Sequence, residues 1–445
     1  MADEWSPTTL GECIDVKHGF AFKGEFIHEE PDGDILLTPG NFAIGGGFKG
    51  DKFKYYSGPD VPEFILRQGD LLVSMTDLSK DGDTLGYPAF VPKSEGGRHF
   101  LHNQRLGKIH VVASTKINTG FLHYLLCSSG YRNEILGSAT GSTVRHTSPD
   151  RIKRFEFLRP RVTEQRAIAH ILGTLDDRIE ANRRMAATLE EMARVLFRAW
   201  FVTFEPVRAK AEGRWRPGQT LPGLPASLYD LFPDRLVETE RGEIPEGWRA
   251  GELGDVAQQV GQTVSPETLD PNTPYIGLEH MPRRSIALSD WESACKVTSG
   301  KLAFQKYDFL FGKLRPYFHK VGIAPVDGIC STDIVVLNAR ERTAAAFALV
   351  CISQDEFVAF TDRTSDGTKM PRTSWSRMKR YGVCLPNGAT LQAFSAIASP
   401  MLDRIVVNVH ESRTLAATRD LLLPRLMSGE VRVKDAEGFL KARGL

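Results

Sequence analysis

"GSTVRHTSPDRIKRFEFLRP" (Gly141–Pro160) and "GTKMPRTSWSRMKRYGVCLP" (Gly367–Pro386) have equal length and lie 226 residues apart. Aligned without a gap, they share Gly141/Gly367, Thr147/Thr373, Ser148/Ser374, Arg151/Arg377, Lys153/Lys379, Arg154/Arg380 and Pro160/Pro386. The match widens on both sides. Upstream, Trp5 followed by Leu10-Gly11 returns as Trp248 followed by Leu253-Gly254. "QGDLLVS" (Gln68–Ser74) and "KYDFLFG" (Lys306–Gly312) each set an Asp before an apolar strand pattern. Downstream, "LDDRIEANRRMAATLEEMARVLFRAWF" from Leu175 aligns with "MLDRIVVNVHESRTLAATRDLLLPRLM" from Met401 at the same offset. Solenoid repeats have periods of ~20–50 residues, so a period this long means duplicated domains. The chain is two copies of one plan: a mixed module, then a helical segment.

The helical segments carry the clearest periodicity. Apolar or small residues fall at 175, 179, 182, 186, 189, 193, 196 and 200, and again at 401, 405, 408, 412, 415, 419, 422 and 426. Alternating steps of four and three make an a/d heptad seam. Such a stripe also suits plain core packing, but two seams of equal length offer each other a partner. The expected pairing residues are Leu175, Ile179, Asn182, Leu189 and Leu196 against Ile405, Asn408, Leu415 and Leu422. Asn182 and Asn408 share a heptad position, where Asn sets register and orientation. Ser412 and Arg419 weaken the second seam. Thr174, and Ser399 with Pro400, read as helix N-caps, and Pro424 and Gly429 as the end or a bend of the second helix. That gives two helices of about 25 residues, or ~38 Å each at a rise of 1.5 Å per residue.

Between the halves, residues 207–248 are rich in Pro, Gly and charge. Such a linker makes extended segments that wrap a surface. Its "LYDLF" aromatics point to docking.

A chain of 445 residues allows two to four domains. Its 41% apolar and 25% charged content is that of a globular protein, and a net charge of +1 leaves nucleic-acid attraction to local patches. The six scattered cysteines form no C-x-x-C pair. That suits a reducing cytoplasm, and the N-terminus shows no signal-peptide pattern. No apolar run is long enough for a membrane span. No phosphate-binding loop is present: "GGGFKGDK" (Gly45–Lys52) has the wrong spacing and reads as a turn. "DPNTPY" (Asp270–Tyr275) reads as a loop. "HFLHN" (His99–Asn103) lacks a third metal ligand, and no Ser/His/Asp arrangement stands out. No metal, cofactor or catalytic residue is expected.

Recognition chemistry remains. Residues 367–380 hold Lys369, Arg372, Arg377, Lys379 and Arg380 without an acid. Residues 145–154 hold Arg145, Arg151, Lys153 and Arg154 against Asp150. Thr147, Ser148, Thr373 and Ser374 are interleaved, and "GKLRPYFHK" (Gly312–Lys320) adds Lys313, Arg315 and Tyr317. Cations neutralise phosphates, and hydroxyls donate to phosphate or base edges. A single basic run is usually a solvated face. Two in register, each ahead of a helix, point to DNA. The expected DNA-binding residues are Arg145, Thr147, Ser148, Arg151, Lys313, Arg315, Tyr317, Lys369, Arg372, Ser374 and Arg377.

With these features the chain resembles the specificity subunits of type I restriction-modification systems. The resemblance rests on Thr163–Val207, Leu231–Trp248 and "LLLPRLMSGEVRV" (Leu421–Val433), with the repeat and the two W-x4-L-G starts. It implies an α+β, pseudo-two-fold fold. Two mixed target-recognition domains (1–162 and 246–388) would be joined by two long antiparallel coiled-coil helices. The helical regions would be 163–206 and 389–445, with a Pro-rich linker at 207–245. It implies a non-catalytic subunit that reads a bipartite double-stranded DNA target for bacterial defence. The subunit would dock two methyltransferase subunits and, through them, motor-nuclease subunits. S-adenosylmethionine, ATP and Mg would belong to those partners. Helices of ~38 Å would set the two readers about one DNA turn apart, roughly 34–36 Å. The alternatives are a specificity subunit of a methylation-only or type II-like system, and a coiled-coil scaffold binding only proteins.

Overall fold

The computed structural model describes residues 5–79, 81–94, 96–141, 143–240 and 242–442. They form two compact units: Met1–Asp177 with Ala416–Leu445, and Arg178–Leu415. Each unit combines one module with stretches of both long helices, and each module follows the same plan.

In the first module a four-stranded antiparallel sheet has the order Ile14–His18, Leu106–Val111, Leu71–Ser74, Pro88–Phe90. In the second, the order Ala257–Gln259, Ile334–Ala339, Phe309–Gly312, Val321–Ile323 repeats it. The central strands, Leu71–Ser74 and Phe309–Gly312, are buried throughout. These are the strands that "GDLLVS" and "YDFLFG" encode. A second sheet of five strands contains one parallel pair in each module, Asp34–Leu37 with Phe100–His102 and Pro274–Ile276 with Gly328–Cys330. Its fifth strand differs. Ile27–His28 adds to Lys54–Tyr56 in one module, whereas Gln262–Val264 adds to Lys301–Phe304 in the other. Two short helices complete each module, Thr119–Cys127 with Ser129–Ser138 and Ala345–Ile352 with Asp355–Arg363.

The repeated segments of the sequence close each module. Ser6–Thr9 pairs with Glu156–Arg159, and Arg249–Glu252 with Gly382–Leu385. Leu10 N–H donates to the Phe155 carbonyl, as Leu253 N–H does to that of Tyr381. The glycine of each W-x4-L-G start faces the repeated lysine. A Cβ on Gly11 would lie 3.2 Å from Lys153 Cβ, and one on Gly254 3.2 Å from Lys379 Cβ.

The long helices correct the expected lengths. They run over Val162–Phe201 and Gly388–Met427, 40 residues each. At 1.5 Å per residue each is ~60 Å long, so helix length no longer matches one DNA turn. Thr174 does not cap. Its hydroxyl donates to the His170 carbonyl one turn back, which satisfies it in mid-helix. Pro400 also lies inside its helix and deprives the Ala396 carbonyl of its intrahelical donor. Pro424 is likewise inside, and the end comes at Gly429, in the left-handed region at φ 73°.

Leu175, Ile179, Asn182, Ile405, Asn408, Leu415 and Leu422 are buried, and Leu189 and Leu196 are partly so. Within the second unit Asn182 meets Asn408, while Phe197, Trp200 and Phe201 meet Phe394, so the helices run antiparallel. Within the first unit Asp176 pairs with Arg419 at 2.7 Å and Glu164 with Arg432 at 3.4 Å, in the same sense. Arg419 thus supports the seam it was expected to weaken. Burial pulls its pKa down, but the hydrogen bond and charge of Asp176 outweigh that and leave it raised.

Each module is keyed to a helix by a buried polar side chain. Gln165 accepts from Asn118 N–H and donates to the Pro160 carbonyl, both at 2.8 Å. Glu190 accepts from Ile286 N–H at 3.0 Å and Ser285 Oγ at 3.2 Å, beside Arg194 at 2.9 Å. The linker docks in the second unit, with Phe232 buried against Trp200 and Trp248 and Trp215 packed on Phe232. No single helix among the described residues is long and apolar enough to cross a membrane.

Candidate nucleic-acid interface

In both modules the loop after an inner strand of the four-stranded sheet is bonded to the repeated basic segment. In the second module Phe309–Gly312 runs out into Lys313–His319, and three backbone bonds bind this loop to its neighbours. Lys313 N–H donates to Asp333 O at 2.9 Å, Thr373 N–H to Lys313 O at 3.0 Å, and Arg315 N–H to Pro371 O at 2.7 Å. The structure therefore brings the stretch of Lys313 and Arg315 against that of Arg372, segments over 50 residues apart, with Tyr317, Lys369 and Ser374 in the flanking loops.

The side chains there differ in availability. Tyr317 is 49% exposed, edge-on to Phe318. Lys369 is exposed at a turn that Gly367 makes at φ 86°. Arg372 reaches Asp333 with Nη2–Oδ1 at 2.9 Å. Arg315 is half-buried in the left-handed region at φ 51°. Arg283, which the sequence did not single out, stacks over Phe318 at 4.1 Å and enlarges the basic-aromatic cluster. Behind it, buried His319 contacts the Ser353 carbonyl at 3.0 Å, and burial holds its pKa below the usual imidazole value.

The first module repeats this frame. Met75 N–H donates to Arg105 O and Thr147 N–H to Met75 O, both at 3.0 Å. Arg145 pairs with Asp77 and His146 with Thr76 along the backbone. Asp77 shapes the loop after the strand, accepting from Ser79 N–H at 2.6 Å and Thr84 Oγ1 at 2.7 Å. Burial pushes its carboxyl up, but these hydrogen bonds prevail and leave its pKa lowered. The loop presents Leu78, 66% exposed. Sequence reading missed this loop and Arg105. The in-register match of Gln68–Ser74 with Lys306–Gly312 was the signal that could have found it.

Several shared residues of the repeat make contacts within their own module. Thr147 and Thr373 are buried, and their hydroxyls have no hydrogen-bond partner among the described residues. Ser148 Oγ accepts from Arg151 N–H at 3.4 Å, while Ser374 Oγ lies 2.8 Å from Ser376 Oγ. Arg151 grips its loop through Thr140 Oγ1 at 3.3 Å and the His146 carbonyl at 3.5 Å. Arg377 does the same through the Thr364 carbonyl and Asp366, the latter at 2.6 Å. Their cations hold a protein loop.

Among the described residues, one group has metal-ligand proximity: Glu279, His280 and Glu292. His280 Nδ1 accepts from Gly277 N–H at 2.9 Å. In the neutral ring Nε2 then carries the proton and offers no lone pair. His102, one of the two histidines of "HFLHN", is buried with Nε2 3.0 Å from the Leu106 carbonyl.

Residues 2–191 match the family model for the type I restriction modification DNA specificity domain. Over that first part the chain is similar to the type I restriction-modification specificity subunits. The MjaIX specificity subunit of Methanocaldococcus jannaschii is 24% identical over 73% of this chain and 72% of its own. The HindI specificity subunit of Haemophilus influenzae is 24% identical over 70% and 77%. The EcoDI specificity subunit of Escherichia coli is 28% identical over 63% and 62%. A type I specificity subunit of M. genitalium shares the fold, with a TM-score of 0.52 and 16% identity over 96% of this chain and 97% of its own.

Proposed function

We propose that this subunit reads a two-part DNA target, one half per module, through the loop end of each four-stranded sheet. The observation that carries this is the pairing of a conserved backbone frame with divergent loops. Equivalent hydrogen bonds, Met75–Arg105 with Thr147–Met75 and Lys313–Asp333 with Thr373–Lys313, hold loops whose side chains differ. A reader of two different half-sites needs that combination of fixed position and variable side chain.

The subunit has no chemistry of its own in this reading, and it docks methyltransferase subunits that bring S-adenosylmethionine. Restriction subunits, with ATP and Mg, join through those. Met185, Met192, Val195 and Val202 support docking. They are 43–57% exposed; Met185, Met192 and Val195 recur at helical spacing on the first long helix, off its buried seam, and Val202 follows its last residue. An apolar stripe left in solvent on a long helix marks a partner surface. The test is a base-resolution methylation map of the host genome with and without the gene. The expected result is a bipartite motif that vanishes on deletion. A motif that persists, or a single continuous one, overturns the reading.

A further inference from the structure

The repeat places Asn103-Gln104-Arg105 and Ser331-Thr332-Asp333 in equivalent positions. Each triplet joins the parallel-paired strand of the five-stranded sheet to an inner strand of the four-stranded one: Phe100–His102 to Leu106–Val111, and Gly328–Cys330 to Ile334–Ala339. The carbonyl of the third residue takes the equivalent bond in both, from Met75 and from Lys313. The backbone is thus fixed alike, yet the side chain changes sign, from Arg105 to Asp333. The residue paired across the loop after the inner strand changes too, from His146 opposite Thr76 to Arg372 opposite Leu314.

That inversion separates two kinds of contact. Phosphates are the same at every step of a duplex, so a phosphate anchor is expected to keep its sign in both copies. A position that turns from cation to anion on a fixed backbone is suited to base edges, which differ. Arg105 is exposed and makes no ion pair among the described residues, so its planar fork is free to engage. Asp333 is not free. Its carboxylate, 28% exposed, holds the Arg372 guanidinium at 2.9 Å, while Arg372 itself remains 55% exposed. An arginine fork suits the N7 and O6 acceptors of guanine, and a fork steadied by a carboxylate is pre-aimed.

We propose that Arg105 in the first module and Arg372 in the second each read a guanine edge in the major groove, with Asp333 the positioning residue for Arg372. The proposal rests on the reading of each module as the reader of one half-site. It adds which side chains discriminate and why the two modules recognise different sequences.

The experiment replaces the chromosomal gene with variants and maps methylation at base resolution, with the partner subunits in place. Arg105→Gln and Arg105→Lys each relax one guanine position in one half-site, because both lose the fork. Asp333→Asn relaxes one guanine position in the other half-site. Discrimination at the relaxed position falls at least roughly 5-fold, the low end for a lost bidentate contact. An unchanged motif overturns the proposal, whether methylation is full or uniformly reduced. Uniform reduction is the mark of a phosphate anchor. If Asp333→Asn abolishes methylation altogether, Asp333→Glu, which keeps the carboxylate, must restore the original motif, and failure to restore it also overturns the proposal. Deletion of the gene separates the two levels. A motif that survives deletion refutes the half-site reading, whereas one that vanishes on deletion but ignores the variants refutes only the residue assignment.

Discussion

Asn408 Nδ2 donates to the backbone carbonyl of Asn182 at 3.4 Å, and the two asparagines are the same residue of the repeat. In an antiparallel pair of repeated helices, equivalent residues meet at one level only, and both seams place their polar residue there. Asn182 Nδ2 and Asn408 Oδ1 are buried without a hydrogen-bond partner among the described residues. Each such group costs about 1–3 kcal/mol. The double variant Asn182→Leu/Asn408→Leu is therefore expected to unfold at a higher temperature than wild type. Thermal melting checks this, and a lower midpoint refutes it. The seam keeps its asparagines at a stability cost because they fix register.

Thr147 and Thr373 were expected to touch DNA, and the structure buries both. Thr147→Val and Thr373→Val are expected to leave the methylated motif unchanged and to hold or raise the melting temperature, since each removes an unpaired buried hydroxyl. A changed motif would return these residues to the interface.

A four-residue insertion in the first long helix is expected to alter the unread gap between half-sites while leaving both half-sites intact. The methylation map reads gap and half-sites separately. An altered half-site would sink the idea that the helices only space the readers.

Acid weakens the first unit through His102. Burial lowers its pKa from 6.5 to about 4. The unfolded chain then binds the proton more readily than the folded one, so stability is intact above pH 6.5 and is lost as pH falls towards 4. A shift of this size corresponds to at most about 3 kcal/mol. His102→Gln keeps a donor for the Leu106 carbonyl and removes the titration. Its melting temperature should fall less than that of wild type between pH 6.5 and 4.

The seam and the duplication were legible because they are periodic: burial at 175, 179, 182 and 186 follows the heptad directly. Helix starts were not. Thr174 carries a cap residue's side chain, but nothing local says that its hydroxyl will turn back to His170. Pro400 likewise sits in a helix long enough to absorb the loss of one bond. Composition marked the basic loops, and it could not say that Arg151 and Arg377 spend their charge on the protein's own loops. Arg105 and Asp333 were invisible for another reason. They sit in short, unremarkable triplets, and only the fold brings Asp333 to Arg372.

Each module's first and last strands lie side by side, Ser6–Thr9 on Glu156–Arg159 and Arg249–Glu252 on Gly382–Leu385. Chain entry and exit therefore share one doorway, whatever the length of the fold between them. A module can be exchanged as a cassette at that doorway, with the helices beyond it left untouched. In the proposed reading, such an exchange moves a whole half-site preference at once, where a substitution changes a single base.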